Sequence, residues 1–428
     1  MSSTQSVRPI YALADANTFY VSCERVFRHD LQNTPLVALS NNDGCVIAQS
    51  KEVKELGIPM AGAWFQYEKA ARKLGVVDFS SNYELYADMS NRFMDTLRQF
   101  SPRIEVYSID ECFLDLTGFN RDLLAYGHEM KDRVKQWTKL PICVGIAHSK
   151  TLAKLANHCA KKQAGFNGVC DFTSMTKIDL DNIMEKLDVE KVWGVGNRLA
   201  AKLNNVGISN VLRLKRADPK RIRDQFGVLM ERTVKELNGE VWLQLDEIRE
   251  PSKQVMSSRS FGSRVTFLAE MQEAISYHAS NACERLRKQG LFTSAIHVFI
   301  QNSPFDEQPY FGRSLTISLP APTDCTMKVT NAALWLLKRM YQPDIYYQKA
   351  GVMLMELVPK EGQQNDLFGF VNSPKSSQLM TTMDNINKKY HRGSIRLASE
   401  GVNKTWVMRR GKKSPNYTTD WNELPVAT

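Results

Sequence analysis

Hydrophobic and polar positions along the chain alternate in blocks whose period switches between strand and helix. Ile10 to Asp15 is a short apolar run with strand character, and Phe19, Cys23, Val26 and Phe27 then recur at helical spacing, with Asn17 placed to cap that helix. Pro35 to Ser40 and Cys45 to Gln49 read as two strands around the turn signal Asn41-Asn42-Asp43-Gly44, and a short helix follows that stops at Gly57. A long helix runs from Tyr83 to Phe100 behind Ser81 or Asn82, with Leu85, Met89, Phe93, Leu97 and Phe100 as its buried stripe. Arg103 to Ile109, Cys112 to Leu116 and Ile142 to Ala147 read as strands, and Leu123 to Trp137 and Leu152 to Lys161 as helices. With residues 20–79 set aside as an insertion, the order is β-α-β-β-α-β, a split βαβ unit. Its first two strands run parallel with the third between them. That topology sends Asp15, at the end of the first strand, to the same end of the sheet as Asp110 and Glu111 in the turn between the second and third.

Residues 180–245 read as wholly helical, and residues 256–358 repeat the order β-α-β-β-α-β without an acid cluster at the corresponding end. The second copy therefore reads as a binding platform. Pro359 to Asp366 is polar and reads as a linker.

Composition adds limits. At 428 residues the chain is too long for one ordinary domain, and 43% hydrophobic with 24% charged residues describes a folded globular protein. No apolar stretch approaches the ~18 residues of a membrane span, and the polar first nine residues give no reason to expect an export signal. The eight cysteines form no C-x-x-C pair, so they fit small core residues in a reducing cytosol. A net charge of +10 suits a polyanionic partner, although a merely basic surface would look the same.

Taken singly, Asp15, Asp110 and Glu111 are equally at home as turn or helix-cap acids. Brought together they would repel one another, and a divalent cation removes that cost. Magnesium takes oxygen ligands and leaves room for substrate phosphates, and two such ions suit phosphoryl transfer.

Several motifs carry a resemblance. Asp15-Ala16-Asn17-Thr18-Phe19-Tyr20, Tyr107-Ser108-Ile109-Asp110-Glu111, Val144-Gly145-Ile146-Ala147 with Lys150-Thr151-Leu152-Ala153-Lys154, and Gly194-Val195-Gly196 resemble, in order, the motifs of the lesion-bypass Y-family of DNA polymerases. Ser40 to Ala48, Ser80 to Ser90 and Ser414 to Thr419 are similar to the UmuC subfamily within it. The resemblance implies an α+β multidomain, right-hand polymerase. Its parts would be a split-βαβ (ferredoxin-like) palm over residues 1–19 and 80–175, small fingers over 20–79 and a helical thumb with a helix-hairpin-helix over 176–250. A little finger over 251–359, a linker over 360–374 and a UmuC-type extension over 375–428 would follow. It implies two Mg²⁺ ions on Asp15, Asp110, Glu111 and the Ala16 carbonyl, with these acids catalytic. Tyr20 would be the steric gate against a 2′-hydroxyl, with Phe19 left to core packing. Lys54 and Lys161 would meet the dNTP triphosphate, while the role of Lys51 is open.

Gly194, Gly196, Arg198 and Lys202 would hold primer–template DNA at a helix start, and Arg259 and Arg264 would flank Phe261 on a DNA-facing strand. In the linker, Gln364, Leu367 and Phe368 resemble a sliding-clamp-binding segment, with Asn365 as a departure from its pattern. The implied function is error-prone translesion synthesis in the SOS response, in the cytoplasm, with a processed UmuD dimer, RecA and the sliding clamp as partners. The rivals are a Y-family polymerase needing no UmuD, and a catalytically inactive DNA-binding scaffold on the same fold. A nucleotide cyclase on a similar palm would have no use for a thumb or little finger.

Overall fold

A computed structural model describes residues 8–246, 252–361, 374–391, 393–402 and 404–425. Gln364, Leu367 and Phe368 lie outside the described residues. Contacts divide the chain into two units: Met1–Ser40, Cys45–Arg249 and Lys412–Thr428 form the first, Asn41–Gly44 and Glu250–Gly411 the second.

The first unit opens with β1 (Tyr11–Ala16), α1 (Phe19–Phe27), β2 (Leu36–Leu39), β3 (Val46–Gln49), α2 (Lys51–Glu55), α3 (Trp64–Lys73), β4 (Val77–Ser80) and α4 (Tyr83–Leu97). It continues with β5 (Ile104–Val106), β6 (Glu111–Asp115), α5 (Leu123–Thr138), β7 (Ile142–Ala147), α6 (Lys150–Lys162) and β8 (Val169–Asp171). Five helices then follow: α7 (Lys177–Glu185), α8 (Asn197–Asn205), α9 (Val211–Lys215), α10 (Pro219–Phe226) and α11 (Val228–Leu237). The main sheet has the order β5-β6-β1-β7-β8. β6 is antiparallel to both β1 and β5, so β5 and β1 run parallel with β6 between them, as the crossover requires.

The wholly buried β1 serves two cores through its pleat. Ala12, Ala14 and Ala16 face the side covered by α4 and α5, and Tyr11 and Leu13 face the side of α6 and the α7–α11 helices. Asn82 caps α4 by accepting from the Leu85 N–H at 3.2 Å, and Leu85, Met89, Phe93, Leu97 and Phe100 are all buried.

Some elements depart from the sequence reading. Asn17 is not a helix cap: Thr18 takes that position in the left-handed region (φ 46°, ψ 47°), with no side-chain cap. Asn17 instead donates from Nδ2 to Cys143 Sγ at 3.3 Å, tying the end of β1 to β7. The strand expected over 103–109 shortens to β5, because Tyr107 to Asp110 are taken up by the turn. In the insertion, β2 pairs antiparallel with β3 and also parallel with the unforeseen β4, giving the order β3-β2-β4, and α3 packs through Trp64. The parallel strand β8 is a further addition.

The second unit contains β9 (Val255–Val265), α12 (Leu268–Lys288), β10 (Leu291–Asn302), β11 (Gly312–Thr323), α13 (Thr326–Met340), β12 (Tyr347–Pro359) and α14 (Pro374–Lys389). The element order repeats that of the main sheet, but the wiring does not. Its strands lie β11-β10-β12-β9, every neighbour antiparallel, so β12 separates β9 from the β10–β11 hairpin. Seven of the eight cysteines are buried and none is paired. Among the described residues no helix is long and apolar enough to cross a membrane.

Helix α6 lies unusually close to the sheet. A Cβ on Gly145 of β7 would stand 2.1 Å from the Asn157 nitrogen and 2.4 Å from the Ala153 oxygen. Asn157 Nδ2 also bonds the Leu13 and Cys143 carbonyls, at 3.1 and 2.8 Å. Gly145→Ala is therefore expected to lower unfolding stability by about 1–3 kcal/mol through overpacking. Urea denaturation checks this, and a loss near zero would show that α6 is free to retreat.

Candidate active site

The end of β1 and the β5–β6 turn meet as the topology requires. Asp15 stands opposite Glu111 in the β1–β6 register. The Ala16 N–H donates to the Asp110 carbonyl at 2.9 Å, closing the turn against the strand. Within the turn, the Ser108 hydroxyl donates to Asp110 Oδ1 at 2.6 Å and accepts from the Glu111 N–H at 3.0 Å. Ser108 thus orients the Asp110 carboxylate and pins the Glu111 backbone, a role that the sequence reading did not give it.

Each carboxylate is already answered by another group. Asp15, 8% exposed, pairs through Oδ2 with Lys161 Nζ at 2.5 Å. Burial pushes the Asp15 carboxyl up to about 6; Lys161 opposes the rise, and Glu111 and Asp110 add to it. Both oxygens of Glu111 take Lys154 Nζ at 3.1 Å. Lys154 also lies 4.4 Å over the Tyr107 ring and 5.0 Å over that of Trp193, joining the α7–α8 connection to the acid turn. This residue too had no assigned role, although its motif was recognised.

Among the described residues, no three acidic, histidine or cysteine side chains close on one point as a metal-ready cluster. The expected metal ligands share one end of the sheet, but ammonium groups hold two of them. The donor set still fits a hard divalent ion: its side-chain donors are carboxylates, and mutual repulsion helps keep the Asp15 carboxyl high.

Beside the acids lies a cleft of about 340 Å³, lined by Asp15, Ala16, Tyr20, Lys54, Asp110 and Lys161 among others. The Tyr20 ring stacks on Tyr86 with centroids 4.6 Å apart and planes 20° from parallel, and meets Tyr83 edge-on at 6.1 Å. Phe19 is buried in the core, as expected. Burial, then the charges of Lys162 and Lys161, hold the Lys54 ammonium below its usual pKa. Lys51 is exposed and turned to Glu55 at 3.8 Å.

Gly194 has φ +85°, and Gly196 precedes the first residue of α8. Nothing within 4 Å would meet a Cβ at either glycine, so no internal packing requires their bareness. Arg198 and Lys202 are exposed one turn apart on α8. In the second unit the arginines of β9 are less free. Arg264 is held by Asp306 through two bonds of 2.7 and 2.6 Å, and Arg259 is half-buried.

The sequence model of the impB/mucB/samB family matches residues 14–158, and that of the family's C-terminal domain matches 252–367. The IMS family HHH motif matches 179–208, and a domain of unknown function matches 377–427. The chain is 45% identical to the protein UmuC of Salmonella typhimurium, over 97% of this chain and 99% of that one. It is 39% identical to the protein MucB of Escherichia coli, over 98% and 100%. With DNA polymerase IV of Bacillus velezensis it shares 25% identity over 89% and 91%. Among solved structures, a Y-family DNA polymerase chimera of Dbh and Dpo4 aligns over 82% of this chain and 99% of its own, at a TM-score of 0.64 and 20% identity. An insertion ternary complex of Dbh DNA polymerase aligns over the same shares at 0.53 and 18%. These two likenesses establish the fold.

The elevated Asp15 carboxyl has a thermodynamic signature. A carboxyl whose folded pKa lies above its ordinary 3.8 favours the folded state below that value. The advantage is lost as pH rises through about 6. In chelator, Asp15→Asn is expected to be more stable than wild type at pH 8 by about 1–3 kcal/mol. The gap should close toward pH 4. Thermal unfolding across pH checks this, and a variant less stable at pH 8 would show that the Lys161 pair outweighs burial.

Proposed function

The chain belongs to the impB/mucB/samB family and is a DNA polymerase with the Y-family fold, and on that premise we propose that it performs error-prone translesion synthesis in the SOS response. The observation that carries the reading is that Asp15 and Asp110 line one cleft with Tyr20, Lys54 and Lys161, and that Glu111 stands opposite Asp15 in the adjoining strand.

In this reading the cleft receives a dNTP. Lys54 and Lys161 meet its triphosphate as point charges, so Lys161 leaves Asp15 when phosphate arrives. Tyr20, backed by Tyr86, lies under the sugar and leaves no room for a 2′-hydroxyl. Ser108 keeps the Asp110 carboxylate oriented and the Glu111 backbone in place, and the ring shelf of Tyr107 and Trp193 receives the Lys154 ammonium. Asp15, Asp110, Glu111 and the Ala16 carbonyl would hold two magnesium ions, which when bound supply electrostatic stabilisation to the attacking and leaving oxygens. The chain's own contribution is positioning the primer 3′-hydroxyl against the α-phosphate, with pyrophosphate leaving.

Gly194, Gly196, Arg198 and Lys202 suit a duplex backbone, with phosphates at the start of α8. Arg259 and Arg264 join this contact only if Arg264 exchanges Asp306 for phosphate. The likeness to the protein named UmuC supports a processed UmuD dimer and RecA as partners. A sliding clamp would be held through Gln364, Leu367 and Phe368. A DNA-binding scaffold without catalysis is the second reading, favoured by the lysines seated on Asp15 and Glu111.

Primer extension with Mg²⁺, with and without processed UmuD and RecA, separates the two readings. Asp110→Asn is expected to lower incorporation by at least about 100-fold, with primer–template affinity within about 2-fold of wild type. Extension by the variant near the wild-type rate would remove Asp110 from the chemistry, and no extension by wild type under any of these conditions would favour the scaffold.

A further inference from the structure

The end of the C-terminal extension returns to the first unit and reaches the support of Tyr20. Lys413 bridges Ser80 in parallel register, the Ser80 N–H donates to the Lys412 carbonyl at 3.1 Å, and the Lys412 N–H donates to Ser80 Oγ at 3.0 Å. Lys412 Nζ pairs with Asp78 and, at 3.3 Å, with Glu68. The chain then turns inward. Ser414 is buried, and Asn82 Nδ2 donates to its carbonyl at 2.9 Å, its hydroxyl at 3.1 Å and the Pro415 carbonyl at 3.1 Å.

The Ser414 hydroxyl donates to Glu24 Oε1 at 3.1 Å, and the Tyr86 hydroxyl donates to the same oxygen at 2.7 Å. Glu24 is wholly buried, and among the described residues its Oε2 has no hydrogen-bond partner. Burial raises its pKa, and the bonds from Tyr86 and Ser414 oppose the rise. Glu24 lies one turn beyond Tyr20 on α1, and Tyr86 is the ring on which Tyr20 stacks. At the far end of α1, Phe27 stacks on Tyr417 at 4.7 Å. The extension thus holds the helix that carries Tyr20 at Glu24 and at Phe27, and through Glu24 it is linked to the ring beneath Tyr20.

Anchoring a tail does not require a buried carboxyl shared by two hydroxyls from distant parts of the chain; surface apolar contacts would suffice. Such a group is costly unless it fixes something. What it fixes here is the α1–α4 spacing directly behind the Tyr20 ring. A filter that rejects a single hydroxyl by contact works only if its ring is held to a fraction of an ångström.

We propose that residues 412–417 are a positioning element for the sugar gate: Ser414, acting through Glu24 and Tyr86, holds the Tyr20 ring in place and so sets discrimination against ribonucleotides. This rests on the reading of Tyr20 as the gate, and it gives a role to part of the stretch matched only as a domain of unknown function.

The test uses the full-length protein with its accessory factors. It compares kcat and KM for a dNTP and the matching rNTP in wild type, Ser414→Ala, Tyr86→Phe, Tyr20→Ala and the Tyr20→Ala/Ser414→Ala double variant. Ser414→Ala and Tyr86→Phe should each reduce discrimination about 3- to 10-fold, the size of one buried hydrogen bond. The change should come from faster rNTP use, and for Ser414→Ala the dNTP kcat/KM should stay within about 2-fold of wild type. In the Tyr20→Ala background Ser414→Ala should have no further effect. If Tyr20→Ala loses discrimination while Ser414→Ala and Tyr86→Phe keep it, the proposal falls and the gate stands. An equal loss for dNTP and rNTP with a lowered unfolding midpoint, or an undiminished Ser414→Ala effect in the double variant, also overturns it. If Tyr20→Ala itself keeps full discrimination, the gate reading fails and takes the proposal with it.

Discussion

Negative charge gathered at one end of a sheet is the constraint around which the first unit is built. Asp15 and Glu111 face each other in register, and Asp110 lies in the adjoining turn. Left alone, these acids would push one another toward protonation. A single element answers both paired acids: Lys154 and Lys161 are two turns apart on α6 and reach Glu111 and Asp15 respectively. That reach depends on how closely α6 lies to the sheet, and so on the bareness of Gly145. A glycine in the middle of a strand and two lysines on a helix are one device, which supplies positive charge to the acids.

The second unit shows what the same order of elements does with different wiring. In the main sheet of the first unit, the strand after the turn lies directly beside β1, so the turn and the end of β1 meet. In the second unit β12 separates β9 from the β10–β11 hairpin. The end of the first strand and the hairpin turn are therefore not neighbours. The lack of an acid cluster there follows from connectivity as much as from the choice of residues. One sheet brings carboxylates together and the other presents a long antiparallel surface.

The split βαβ sheet was legible in the sequence because most of its strands and helices carry their own period, and because a crossover helix leaves little freedom of strand order. Asp15, Asp110 and Glu111 were found by that topology together with their motifs. What escaped depended on contacts distant in sequence. β4 has only four residues, and its parallel partner β2 lies some forty residues earlier. Lys154 meets Glu111, and Arg264 meets Asp306, across separations that no local pattern reveals. Asn17 looked like a helix cap, and only the left-handed turn at Thr18 shows why it is not. The segments Ser80 to Ser90 and Ser414 to Thr419 were each recognised, but nothing in the sequence shows that they touch.

Strand β4 ends a three-stranded sheet, and its outer edge would otherwise present unpaired backbone groups. The chain's own end covers part of that edge with Lys412 and Lys413. An exposed strand edge is a template for another molecule's strand, whereas lysines at an edge discourage such pairing. A preparation clipped just before Lys412 would therefore open that edge, and its state of association has to be known before a change in its sugar discrimination is assigned to the site.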